Sequence, residues 1–372
     1  MIKYIFIKNF YHYLSLIKNI NWIIFSILIT LALLGSIILY SASGGSFQPL
    51  VKAHLIKFLF CLFIFLIVYF IDIEAIFSNS YIIYCVSIFS LLLIFFIGLD
   101  NGGSQRWLRL GFFNLQPSEI AKVSLTLALA RYYSDFQHIN NDSYLKLIIP
   151  LILIFLPFFL IINQPDLGTG ILLLTCGFFM ILLSGLGLKL VILGILSLSL
   201  LIPVIWNYLY DYQKKRIITF LNPESDPLGS GYHIAQSKIA IGSGGFWGKG
   251  YMQGSQSQLE FIPEIHTDFI FSVFSEEFGL FGSILIILLY TVLVIYCLLS
   301  SYRSSNNFAK LAIFGLTMNF FLYLIINISM VIGIVPVVGV PLPLLSYGGS
   351  AMLTVMITFG LIMNFNTREK TN

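Results

Sequence analysis

The chain has 372 residues, of which 58% are hydrophobic and only 10% charged, with a formal net charge of +4 and a mean hydropathy of +0.93. Globular domains average about 25% charged residues, so this composition excludes an ordinary soluble fold. The small, dispersed positive surplus excludes a nucleic-acid-binding surface. What remains is an all-α polytopic membrane protein, read as one domain over 1–372.

Apolar runs of roughly 20 residues, the length that crosses a bilayer, recur between charged or Gly/Pro-rich breaks. They predict ten transmembrane helices, over 21–40, 53–71, 80–98, 117–133, 146–162, 168–184, 188–209, 267–299, 309–332 and 345–365. Helices are required because a lipid-exposed backbone must satisfy its own hydrogen bonds, and the alternating pattern of barrel strands is missing. The eighth run is too long for one straight crossing, so its first turns are expected at or above the interface. The first, from Ile20 to Leu39, exceeds a signal-peptide core and lacks a clean cleavage site, which predicts a retained span. Cys61, Cys85, Cys176 and Cys297 fall inside predicted spans without CxxC or Cys/His spacing, so they are expected to be apolar packing residues and not disulfide or zinc ligands.

An even number of spans puts both termini on one side. With cytoplasmic termini, Lys3, Lys8, Lys18, Arg131, Lys146, Lys189, Arg303, Lys310, Arg368 and Lys370 lie inside and the other ten Lys/Arg outside. Five of the outer ten (Lys214, Lys215, Arg216, Lys238 and Lys249) belong to the large 210–266 loop between helices 7 and 8, whose length weakens its influence on orientation. Discounting them leaves a positive-inside bias, and three lysines precede the first span. The predicted orientation therefore has cytoplasmic termini and an outer face that carries the polar loops.

Along that face, the 99–122 loop contains Gln105-Arg106-Trp107-Leu108-Arg109 and then Gln116-Pro117-Ser118-Glu119-Ile120-Ala121-Lys122. Pro117 and Glu119 suit a helix start. Glu119 and Lys122 are three residues apart on one helical face at membrane depth, which fits either a structural ion pair or a substrate contact. In Gln164-Pro165-Asp166-Leu167-Gly168, Asp166 is expected to cap the following helix. Lys214, Lys215 and Arg216 form a basic cluster that fits an anionic headgroup or simple snorkelling. Gly242-Ser243-Gly244-Gly245-Phe246-Trp247-Gly248-Lys249-Gly250 fails as a P-loop, because Ser243 replaces the first glycine and Gly250 follows the lysine; a flexible, substrate-covering loop is expected instead. The prolines and glycines of 338–350 at membrane depth predict a cavity wall.

The densest polar stretch is 256–279. Pro263 suits the first helical position, Glu264 would complement the helix macrodipole, and Glu276 and Glu277 are candidates for internal pairing. Asp268, expected one turn deeper among Phe269, Ile270 and Phe271, would have its pKa raised by desolvation and become a proton acceptor. His266 is out of register for a shared metal site and reads as its hydrogen-bonding neighbour. No ligand cluster specifies a metal; none is assigned, and a divalent cation (Mg or Mn) at a phosphate is left open.

Gln105-Arg106-Trp107, Gln116-Pro117-Ser118-Glu119, Gln164-Pro165-Asp166-Leu167-Gly168, His266-Thr267-Asp268-Phe269-Ile270-Phe271 and Pro341-Leu342-Pro343-Leu344-Leu345-Ser346-Tyr347-Gly348-Gly349-Ser350 resemble, in order, the motifs of the SEDS family of bacterial cell-shape and division proteins. Asp211-Tyr212-Gln213, the 222–229 segment and Gln236-Ser237-Lys238-Ile239-Ala240 look more like its elongation branch than its division branch. The resemblance implies ten helices and a peptidoglycan glycosyltransferase in the bacterial inner membrane that polymerises lipid II, the undecaprenyl-pyrophosphate-linked disaccharide peptide. It implies Asp268 as the base that deprotonates the acceptor hydroxyl. Arg109 and Lys122 would stabilise the departing pyrophosphate, and Glu119, Lys238, Glu264, His266 and Ser346 complete the implied substrate contacts. An inverting displacement needs one base, in keeping with a single strong carboxylate candidate. The implied partner is a class B penicillin-binding protein, the transpeptidase of an elongation complex. Asn114 and Ile265 stand where the family pattern commonly has basic residues. A lipid II flippase and a noncatalytic transpeptidase scaffold are the competing readings; the scaffold leaves the polar loops unexplained, and the flippase has no need for a base at Asp268.

Overall fold

The computed structural model describes residues 18–101, 104–111, 113–136, 145–184, 206–207, 209–222, 226, 229–259 and 264–371. The helices in chain order are α1 (Trp22–Ala42), α2 (Leu50–Phe70), α3 (Ile73–Ile97), α4 (Pro117–Asp135), α5 (Leu145–Asn163), α6 (Leu167–Leu183), α7 (Asp211–Leu221), α8 (Ser230–Ser243), α9 (Ser255–Gln258), α10 (Ile270–Arg303), α11 (Asn307–Val331) and α12 (Gly349–Thr371). Six of them (α1, α2, α3, α10, α11 and α12) are long and apolar enough to cross a bilayer, and α5 and α6 contribute shorter apolar stretches. The expected seventh span, 188–209, falls almost entirely outside the described residues, as does the expected helix-starting Pro263.

Local chemistry sets the helix starts. The Asn21 side chain accepts from Ile23 N at 3.1 Å and Ile24 N at 3.2 Å, Asp166 accepts from Thr169 N at 3.3 Å, and Asn306 from Ala309 N at 3.1 Å. Each satisfies a backbone donor that a helix leaves orphaned at its N-terminus. Pro117 opens α4, where its missing N–H costs nothing.

α4 is weakly hydrophobic in sequence yet mostly buried. It packs against α3, α5, α6 and α11, so its polar residues face protein and not lipid. The expected irregular 99–122 loop instead begins as a small antiparallel meander of β1 (Leu99–Asn101), β2 (Ser104–Leu110) and β3 (Phe113–Leu115). Arg109 pairs with Asn114 and Leu110 with Phe113, and Gly111 turns the hairpin with φ +62°. The 210–266 segment is likewise not simply a loop. Gln213 accepts from Tyr210 N at 3.1 Å to start α7, and α8 lays Ser237, Ala240 and Gly244 against α10.

Helix α10 is interrupted. Gly279 has φ 65° and ψ −163°, which leaves a membrane-length segment from 280 to 303 of about 36 Å and a separate helical segment before it. This agrees with the expectation that the eighth run could not cross in one piece. The groups freed by the break are taken up by the glycine-rich segment: Leu280 N donates to Gly245 O at 2.9 Å, Phe281 N to Phe246 O at 3.1 Å, and Lys249 N to Glu276 O at 3.0 Å. That segment is therefore a docked plug and not the flexible loop expected. A Cβ at Gly248 would overlap the Glu277 carbonyl, which is why the close approach uses glycine. Cys61, Cys176 and Cys297 are buried as expected, but Cys85 is exposed and does not pack in the core.

Candidate active site

Asp268 lies in a series of turns over 264–269 that precedes α10, whose N-cap is Phe269. It is not one turn inside a helix, as expected, because Glu264 takes φ 54° and the chain becomes helical only at Ile270. Glu264 accordingly stands outside the helix. Its carbonyl accepts from Thr267 N at 3.1 Å, and its carboxylate from Thr267 Oγ1 at 3.1 Å.

Two elements distant in sequence hold this turn. From α11, the buried Asn327 side chain donates to Asp268 O at 2.8 Å and to Val340 O at 2.6 Å. From the Pro/Gly-rich segment, Ser346 Oγ donates to Thr267 O at 2.5 Å and Tyr347 N to His266 O at 2.8 Å. The irregular 338–348 backbone therefore packs as a wall against the Asp268 turn. Gly339, at φ +77°, faces the carboxylate: a Cβ built there would stand 3.4 Å from Asp268 Oδ2. Ser346 ties the two loops together and is buried.

The Asp268 carboxyl is half-buried, and desolvation, followed by repulsion from Glu264, pushes its pKa up to about 6. Arg216 opposes that rise by its positive charge, and Thr267 opposes it by a hydrogen bond. Arg216 Nη1 also donates to Val338 O at 3.3 Å, which anchors α7 on the same wall. A carboxyl whose pKa lies at about 6 and that feels the charge of a guanidinium can accept a proton from a substrate hydroxyl while the cation stabilises developing negative charge.

The other predicted residues divide between two places. Glu119 and Lys122 are almost fully buried and pair at 2.8 Å. Tyr323 completes the cluster, with its hydroxyl accepting from Lys122 Nζ and donating to Glu119 Oε1, and Lys122 Nζ lies 3.8 Å over its ring. Beside them is a cavity of only about 20 Å3, room for little more than a water. Tyr323 precedes Asn327 by four residues on α11, so the ion pair lies about 6 Å along the helix axis from the Asp268 clamp. Lys238 is exposed on α8 with its chain against Gly333, and Arg109 is exposed on β2. Among the described residues no hydrogen bond or ion pair joins either of them to the Asp268 turn.

Structural roles account for the remaining motifs. Arg106 Nε donates to Gln164 O at 3.0 Å, and Gln116 Nε2 to Asp166 Oδ2 at 2.9 Å, so three of the motifs lock one another. Glu276 is buried and accepts from Lys249 Nζ at 2.7 Å and Gln256 N at 3.0 Å, while Ser41 Oγ donates to Glu277, which bears out internal pairing. Asn327 and Tyr323 lie outside every motif singled out in the sequence; the signal they offer is that of polar side chains in an otherwise apolar span, which must find buried partners. Lys57, also outside those motifs, donates to the Tyr347 hydroxyl at 2.8 Å. Among the described residues no three His, Cys, Asp or Glu side chains are grouped to hold a metal ion.

Comparison with known proteins identifies the family and the fold. A family model described as cell cycle protein, FTSW_RODA_SPOVE, matches residues 21–371. Over 293 residues the chain is 47% identical to the peptidoglycan glycosyltransferase MrdB of Escherichia coli (strain K12), covering 77% of this chain and 78% of that protein. A chain solved in work on the coordination of polymerization and crosslinking by a peptidoglycan synthase complex superposes with a TM-score of 0.83 at 26% identity, covering 95% of this chain and 99% of the other. Thermus thermophilus rod shape determining protein RodA shares the fold, with a TM-score of 0.70 at 23% identity over 93% of this chain and 96% of its own.

Proposed function

The chain belongs to the FtsW/RodA/SpoVE family of cell cycle proteins and is an integral membrane peptidoglycan glycosyltransferase, and we propose that it serves cell-wall elongation and polymerises lipid II with Asp268 as its single general base. One observation carries the mechanism: the half-buried Asp268 carboxyl faces Gly339 of the 338–348 wall, on a turn that Asn327 clamps through the Asp268 backbone carbonyl.

In this reading Asp268 accepts the proton of the acceptor sugar hydroxyl. The hydroxyl oxygen forms a bond to the anomeric carbon of the donor as the bond from that carbon to the pyrophosphate oxygen breaks, and the electron pair leaves with undecaprenyl pyrophosphate. One displacement inverts the configuration, so an α-linked pyrophosphate gives a β-1,4 glycan bond. Arg216 is the cation that meets the departing charge; Lys122, enclosed by Glu119 and Tyr323, supports the α4–α11 contact beneath the Asp268 clamp. With ten helices and cytoplasmic termini, the reaction takes place on the outer face of the bacterial inner membrane. The solved relative from a synthase that couples polymerization to crosslinking supports a class B penicillin-binding protein as transpeptidase partner.

The test compares wild-type and Asp268→Asn protein, purified and supplied with fluorescent lipid II, for glycan chain formation. Chains from the wild type and none from the variant are expected. Equal polymer from both would remove Asp268 as base, and lipid translocation without polymer in the wild type would favour a flippase.

A further inference from the structure

A cavity of about 540 Å3 opens beside the Asp268 turn, between the loop that joins α1 to α2 and the segment that leads to Asp268. Ser43, Ser46 and Gln48 line one wall, and Gln258, Glu264 and His266 the other. The walls are tied together: Gln258 Nε2 donates to Ser41 O at 3.1 Å and the Tyr251 hydroxyl to Ile37 O at 3.0 Å. The cavity is thus held open by cross-links between distant segments, within the size range of small-ligand sites.

Its chemistry is distinctive. Hydroxyls, carboxamides and an imidazole both donate and accept hydrogen bonds, and among the described lining residues there is no lysine or arginine but one carboxylate, Glu264. Such a lining repels a pyrophosphate and suits the hydroxyl and acetamido groups of a neutral pyranose. The cation that acts on Asp268 comes from elsewhere: Arg216 reaches the turn by way of Val338, and neither residue lines the cavity.

The two sugars of the reaction differ in where their charge lies. The donor carries pyrophosphate on its reacting carbon itself, whereas the acceptor presents its attacking hydroxyl on the sugar farthest from its own pyrophosphate. We propose that the cavity lined by Gln48, Gln258 and His266 is the acceptor subsite, which takes the uncharged terminal N-acetylated pyranose and delivers its hydroxyl to Asp268. This assignment rests on the reading of Asp268 as base and adds the face from which the acceptor arrives.

The test uses full-length protein in lipid nanodiscs. A lipid-linked disaccharide whose acceptor hydroxyl is capped by a further sugar serves only as donor, and a disaccharide with a free acceptor hydroxyl and no pyrophosphate serves only as acceptor. Gln48→Trp, at an exposed position, fills the cavity. It is expected to raise the acceptor KM about tenfold or more while the donor KM stays within about twofold, and Gln48→Ala should give a smaller rise in the same direction. Saturation-transfer NMR with a soluble N-acetylglucosamine trimer reads the cavity without catalysis: contact is expected in wild type and Asp268→Asn and lost in Gln48→Trp. An unchanged acceptor KM, a rise confined to the donor KM, or trimer contact that survives Gln48→Trp each overturns the subsite. Polymerisation by Asp268→Asn at the wild-type rate would overturn the base and leave the NMR result to stand separately.

Discussion

The Asn327 carboxamide on α11 donates at once to the backbone carbonyl of Asp268, at 2.8 Å, and to that of Val340, at 2.6 Å. One buried side chain thereby sets the distance between the Asp268 turn and the wall that faces it. Asn327→Ala should lower kcat by roughly 10- to 100-fold, the scale of a small misplacement of a reacting group, with folded protein still recovered. Asn327→Asp puts a carboxylate against two carbonyl oxygens and should be worse. Glycan synthesis rates set against detergent-solubilised yield check both.

The raised pKa of Asp268 fixes the direction of a pH effect. The base works when deprotonated, so kcat/KM should rise with pH through a midpoint near about 6 and be lost below it. Glu264 repels the charged form; in Glu264→Gln the acid limb should move to lower pH. Arg216 favours the charged form; in Arg216→Gln the limb should move to higher pH and the rate should fall as well. Opposite shifts from these two neighbours are the signature to look for in pH–rate profiles.

Glu119 and Lys122 are enclosed together with Tyr323. Removing one partner strands a buried charge, at a cost of about 3–5 kcal/mol, so Glu119→Leu and Lys122→Met should each deplete folded protein. The double variant removes both charges and should recover much of the yield and part of the activity. If the double variant folds yet stays inactive, the pair touches substrate.

Two glycines of the plug separate backbone strain from open space. Gly248 has φ +83° and a Cβ there would overlap the Glu277 carbonyl, whereas Gly242 has nothing within 4 Å. Gly248→Ala should destabilise by at least about 1–3 kcal/mol through strain alone, visible as a lowered melting temperature in detergent. Gly242→Ala, inside α8, should be neutral or slightly stabilising.

Much of the site is legible in the amino-acid sequence. Asp268 stands out because an acidic residue among Phe269, Ile270 and Phe271 has few bland explanations, and Asp166 is readable as a cap because capping is a local interaction. The start of α10 is not legible in the same way: Glu264 adopts a left-handed backbone conformation that propensity does not foretell for glutamate. The glycine-rich segment differs from its expectation for a related reason. Glycines signal freedom in isolation, but Gly248 is required here by the closeness of the Glu277 backbone, a contact made by a chain segment far enough away that no window reveals it. Gly35 is similar, since a Cβ there would lie 2.7 Å from Leu344 O, and nothing within α1 itself announces that neighbour.

Membrane character, the approximate helix bounds and the choice of Asp268 were determined by the sequence alone. Hydrophobic length and the cost of burying a charge are properties of short stretches and can be read from them. Which groups surround Asp268 was decided only by the packing of α7, α11 and the 338–348 wall. Arg216 and Asn327 reach the turn from 52 residues before it and 59 after it, and their partners are fixed by how the helices cross. The same packing placed Lys122 against Glu119 and Tyr323, because a buried ammonium binds whichever acceptors the neighbouring helices supply.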